Sequence, residues 1–151
     1  MGSGGAKTRS RASLGSVAVA FILITGSACS SLAPPGQGSA VAVTLKDYRI
    51  SLAVAMIPGG VVTFDIHNRG PSTHEFVVFK TDRAGNQLPL GADGLTVDED
   101  SPFLRNVGEV AEVDIGSSRT LSLPLAPGRY VFACNIEGHY LGGMYSVVTV
   151  H

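Results

Sequence analysis

Residues 130–145 read Y-V-F-A-C-N-I-E-G-H-Y-L-G-G-M-Y, and this stretch decides how the rest of the chain is read. Gly128 to Cys134 has the β-branched and aromatic composition of a strand, and a second apolar run follows from Met144 to Val150. Gly138, Gly142 and Gly143 punctuate the segment between them. Cys134, His139 and Met144 therefore share one loop between two strands, in the pattern C-x4-H-x4-M.

Working outward, further short apolar runs separated by Gly, Pro, Asn and Asp predict strands over Val41–Leu45, Arg49–Ala53, Val61–His67, His74–Lys80, Glu109–Ile115 and Arg119–Leu123. In Val61–His67 the residues Val62, Phe64 and Ile66 alternate with mostly polar neighbours, as on a strand with one face in a core. No long stretch has helical periodicity. About eight such runs predict an all-β domain, two packed sheets or a flattened barrel. Residues 81–106, with Pro89, Pro102 and several glycines, form one long surface connection. Its acidic cluster Asp98, Glu99 and Asp100 reads as a solvated face or the start of a helical turn.

The chain has 151 residues, enough for one domain behind a leader. Lys7, Arg9 and Arg11 are the only charged residues before position 46, leaving eight basic against twelve acidic residues beyond them. A mildly acidic domain without a basic patch excludes nucleic acid as a partner. The basic start precedes an apolar run, Leu14–Thr25, and the small residues Gly26, Ser27 and Ala28. That is the layout of a signal peptide over residues 1–28, shorter in its apolar part than the ~20 residues of a permanent span. Cleavage after Ala28 makes Cys29 the first mature residue, as in a bacterial lipoprotein, although Gly26 stands where such signals usually carry Leu. The expectation is an exported protein held at the membrane by lipid on Cys29, the alternative being a periplasmic or secreted soluble form. Residues 29–39, with Pro34, Pro35, Gly36 and Gly38, read as a flexible tether, and residues 40–151 as the domain.

Thiolate, imidazole and thioether gathered in one loop point to copper, because sulfur donors are soft and imidazole suits both copper oxidation states. Taken singly, Cys134 reads as a buried thiol, His139 as a loop histidine and Met144 as core filling. Taken together, in an exported domain with no second cysteine in its core, they read as metal ligands. A trigonal His₂Cys set with a weak axial Met needs one more histidine. His74, in N-R-G-P-S-T-H-E-F-V-V, opens a strand after a Gly70–Pro71 turn and is the candidate. His67 lies on the polar side of its strand, and His151, at the last position, is a poor ligand.

These residues resemble the cupredoxin family of small type 1 blue-copper proteins over essentially Val41 to Val150. The loop spacing is similar to that of rusticyanin, auracyanin and the sulfocyanin-like group, whereas plastocyanin and azurin have shorter loops. V-T-L-K-D-Y-R-I-S-L and G-P-S-T-H-E-F-V-V also resemble segments of exported bacterial copper-binding proteins. The resemblance implies a Greek-key β-sandwich of about eight strands, one copper ion, His74, Cys134 and His139 as equatorial ligands and Met144 as the axial one. It departs at Glu75, where many members carry Asn or Ser. A carboxylate there could tune the site through its charge, while Glu137 reads as a solvated loop tip.

The function expected is electron transfer by Cu(I)/Cu(II) cycling in a monomer. Redox protein partners would meet it through a weak interface around His139, flanked by Tyr140, Leu141, Gly142 and Gly143. The alternative is copper storage or delivery with the same ligands, against which stands the lack of Met-rich or His-rich tracts. An enzyme is not expected. Multicopper oxidation needs His-x-His pairs, a dinuclear site needs a second loop cysteine, and no H-E-x-x-H motif supports zinc hydrolysis.

Overall fold

The computed structural model describes residues 1, 2, 4, 5 and 38–151. The apolar core of the expected signal peptide, Cys29 and the tether as far as Gln37 lie outside the described residues.

The domain is built of nine strands: β1 (Ser39–Lys46), β2 (Arg49–Leu52), β3 (Met56–Ile57), β4 (Gly60–Asn68), β5 (His74–Lys80), β6 (Arg105–Val113), β7 (Ser118–Leu125), β8 (Gly128–Ala133) and β9 (Tyr145–Val150). Among the described residues there is no α-helix. Four strands form one sheet in the order β2-β1-β4-β7, and five form the other in the order β3-β9-β8-β5-β6. Pairing is antiparallel except for β1 with β4 and β3 with β9. The expected all-β sandwich is therefore present, with one strand more than the sequence suggested. That strand, β3, is two residues long and exists by pairing with β9, so no local pattern announces it. β6 starts at Arg105 rather than near Glu109, because its polar, half-exposed first half lacks an apolar signature.

The alternation that marked β4 turns Val62, Phe64 and Ile66 into the core between the sheets, where all three are fully buried. Phe64 meets Phe76 of β5 and Phe132 of β8 at ring-centroid distances of 5.5 and 5.3 Å, and the last two lie 5.3 Å apart. This tilted, edge-to-face trio ties the sheets together, each fully buried side chain contributing about 1.5–3 kcal/mol of transfer free energy. A second cluster lies on the opposite face of the five-stranded sheet. Val77, Phe79, Val131 and Ala133 pack there under Leu88, Val97 and Tyr140. The connection between β5 and β6 is thus a lid over β5 and β8, whose apolar side chains face both ways. It contains turns and one isolated bridge, Leu90 with Val97, and the acidic cluster starts no helix.

Register then sets the site. Because β5 and β8 are antiparallel, with Val77 opposite Ala133, the start of β5 lies beside the end of β8. Because Ala133 is opposite Tyr145 in β9, Met144 falls opposite Cys134. Leu45 pairs with Asn68, so the β1–β2 turn emerges at the same end of the sandwich.

Candidate metal centre

At that end, His74, Cys134 and His139 each offer a donor atom, all within 4.8 Å of one another. The Cys134 Sγ is 3.4 Å from His139 Nδ1, and the two imidazole rings are 5.2 Å apart between centroids, tilted by 58°. His74, Cys134 and Met144 are fully buried, whereas His139 is half-buried. Met144 is placed by its backbone. Its carbonyl accepts the Cys134 N–H at 3.1 Å, and its own N–H donates to the His139 carbonyl at 3.0 Å, so the 134–144 loop closes on itself. Of the other histidines, His67 bonds Ser118 Oγ at 2.7 Å and His151 is exposed with its backbone bonded to Ile57 and Gly59. Neither belongs to the donor group.

His74 is delivered by a turn that Asn68 organises. Buried Asn68 donates Nδ2 to the carbonyls of Ser72 and Val113 at 2.7 and 2.8 Å, and its Oδ1 accepts the Gly70 N–H at 2.9 Å. The bonds to Ser72 and Gly70 fold the turn, and the bond to Val113 fastens it to the end of β6, opposite His74. The polar end of β4 contains this anchor; the sequence announced the turn by Gly70 and Pro71 but not the role of Asn68.

Cys134 is tied to its neighbours in the same manner. The Glu75 N–H donates to Cys134 Sγ at 3.3 Å. Asn135 accepts the Val97 N–H on Oδ1 at 2.6 Å and donates Nδ2 to the Val97 carbonyl and to Glu99 Oε1. Glu99, expected to be a solvated charge, thus bridges Asn135 and Asn106 and fastens the lid to the loop. Tyr140, expected on the exposed rim, points inward instead. It is 4% exposed, accepts the Leu88 N–H and donates to the Gly85 carbonyl, both at 2.9 Å. Glu137 is at the solvated tip, as expected.

The electrostatics suit a metal. Burial, then the neighbouring His139, hold the His74 pKa below its ordinary 6.5, against the pull of Asp47, so the ring is neutral at pH 7 with a lone pair to give. Burial pushes the Cys134 thiol up, opposed by the backbone N–H groups of Glu75 and Ile136. Glu75 is pushed up to about 7, first by burial and then by Glu99 and Glu109. His74 Nε2 sits 3.1 Å from Asp47 Oδ1, close enough for an ion pair but off the line a hydrogen bond requires. Both ring nitrogens of this fully buried histidine consequently lack a hydrogen-bond partner. Buried polar atoms are rarely left so. Orphaned imidazole nitrogen beside a buried thiol and a second imidazole fits a soft, N- and S-seeking ion such as copper.

Solved structures with this fold include auracyanin from the photosynthetic bacterium Roseiflexus castenholzii. It is 22% identical with a TM-score of 0.57, over 77% of this chain and 99% of that one. Auracyanin A, a "blue" copper protein from Chloroflexus aurantiacus, is 16% identical with a TM-score of 0.51, over 75% and 100%. An azurin from Methylomonas sp. strain J is 16% identical with a TM-score of 0.54, over 76% and 99%. No curated protein sequence matches the chain. These likenesses establish a shared fold. The sequence model of the cupredoxin-like domain matches residues 16–145, nearly the whole length, and the chain belongs to that family.

Proposed function

We propose that this protein is an exported mononuclear type 1 copper protein that transfers single electrons, with His74, Cys134, His139 and Met144 as the ligands. The observation that carries the reading is the convergence of His74, Cys134 and His139 donor atoms within 4.8 Å at one end of a rigid sandwich. Bound copper would supply a one-electron couple, Cu(I)/Cu(II). The chain's contribution is a site held by two strand ends and one self-bonded loop, so that little need move when the charge changes.

Burial favours carrying electrons over carrying copper. Three of the four residues are wholly enclosed, which opposes handing the ion to an acceptor, while half-buried His139 is reachable at the surface. Exposed Leu141 and Tyr48 beside it offer a small apolar rim for a redox partner in a weak, short-lived encounter. The chain acts as a carrier and not as an enzyme. Export and lipid attachment at Cys29 rest on the leader composition.

Adding Cu(II) to the full chain should give an intense thiolate-to-copper band in the visible and small copper hyperfine splitting in electron paramagnetic resonance. Ordinary tetragonal copper, unchanged by Cys134→Ser, would sink the reading.

A further inference from the structure

The two residues joining β1 to β2, Asp47 and Tyr48, lie far in sequence from every residue of the donor group, yet each touches one of its histidines. Asp47 Oδ1 is 3.1 Å from His74 Nε2, and the Tyr48 ring meets the His139 ring at 5.7 Å, edge-on at 66°. Lys46 pairs with Arg49, so Asp47 and Tyr48 form a two-residue hairpin turn. Tyr48 occupies its second position with φ of 60°. Left-handed backbone there is ordinarily given to Gly or Asn, since a side chain crowds its own backbone. An exposed aromatic at such a position is an outlier that asks for a reason.

The surroundings supply one. Ser72 Oγ donates to Asp47 Oδ2 at 3.1 Å, which turns the other carboxylate oxygen toward His74. A Cβ at Gly70 would stand 2.8 Å from His74 Nε2 and 3.0 Å from Asp47 Oδ1, so only glycine leaves room for their approach. A Cβ at Gly142, three residues beyond His139, would run into the Tyr48 ring. Two notches, one on each side of the donor group, receive the two side chains of a single turn.

We propose that the Asp47–Tyr48 turn is a clamp on both histidines, resting on the reading of His74 and His139 as ligands. The carboxylate charge of Asp47, 3.1 Å from Nε2, favours the His74 proton on that nitrogen and leaves Nδ1 as the nitrogen for the metal. A carboxylate on the far side of a ligating imidazole sets tautomer and ring orientation and raises its basicity. Tyr48 sets the plane of His139 and shields one edge of it from water. Both are positioning residues, acting through the histidines.

The test uses the full chain, first stripped of metal by a chelator. Imidazole ¹⁵N shifts are expected to show His74 protonated on Nε2 alone. Asp47→Ala should give mixed tautomers, and so should Asp47→Asn, which keeps the shape of the side chain and removes its charge. Tyr48→Gly relieves the left-handed backbone, so it should unfold no more easily in urea than the native chain, yet shift the His139 ring resonances. With Cu(II) added, Asp47→Ala should weaken binding about tenfold or more, and Tyr48→Gly should alter the copper hyperfine pattern where Tyr48→Phe does not. An unchanged His74 tautomer in Asp47→Ala, or unmoved His139 resonances in Tyr48→Gly, overturns the clamp. The metal-free spectra decide the clamp separately from the copper reading, which fails alone if these shifts occur and no thiolate-to-copper band forms.

Discussion

The backbone N–H of Glu75 donates to Cys134 Sγ at 3.3 Å, joining residues 59 positions apart and binding the start of β5 to the sulfur at the end of β8. Such a bond favours the thiolate over the thiol, but burial outweighs it, and the metal-free sulfur keeps its proton at neutral pH. Copper bound as proposed displaces that proton. Adding Cu(II) to weakly buffered protein at pH 7 should release about one proton per ion bound, and affinity should rise with pH while the thiol remains protonated. Potentiometric titration measures both, and Cys134→Ala should abolish the release.

Glu75 itself makes stability depend on pH. Its carboxyl, ordinarily near 4.5, is raised to about 7, so between these values the folded chain holds a proton that the unfolded chain has lost. Stability therefore falls as pH rises across that window. The side chain is partly exposed, and solvent screening reduces the effect to about 1–2 kcal/mol. Glu75→Gln should flatten the window in the metal-free chain, giving a higher urea midpoint than native at pH 8 and nearly the same midpoint at pH 4. An equal difference at both pH values would contradict this origin.

Asn68→Ala removes the partner of the Gly70 N–H and of the Ser72 and Val113 carbonyls. Stranding these groups should cost about 2–4 kcal/mol. Because the same bonds present His74, copper affinity should fall as well, in contrast to a core truncation of equal cost such as Val62→Ala, far from the site. Urea unfolding and copper titration on both variants check the contrast.

Tyr140→Phe deletes one hydroxyl that fastens the lid at Leu88 and Gly85. The loss should be about 1–2 kcal/mol, felt locally. Amide hydrogen exchange at Leu88 should accelerate far more than exchange in β8, showing that the lid opens without the sandwich unfolding.

What was legible in the sequence was local. C-x4-H-x4-M, the turn glycines within it and the alternation of β4 are properties of neighbouring residues, and they were enough to state the strands, the sandwich and three candidate ligands. Alternation could not locate β3, which is two residues held by β9, or the first half of β6, whose residues carry no apolar period. Nor could composition distinguish a surface loop from residues 81–104, which cover the second apolar face of β5 and β8.

Tertiary structure decided which distant groups meet. His74 stood out in the sequence by its place at a strand start, but its distance from Cys134 follows from the antiparallel register of β5 and β8. Asn135 and Glu99 looked like polar loop residues until the lid folded onto them, and Tyr140 turned inward because its hydroxyl finds two backbone partners there. Asp47 and Tyr48 were not among the candidate ligands, and the segment that holds them, V-T-L-K-D-Y-R-I-S-L, stood out only by resemblance. They reach the two histidines because the parallel pairing of β1 with β4 brings their turn to the same end of the sandwich. The candidate ligand types are written along the chain, while their mutual placement depends on pairing between strands distant in sequence.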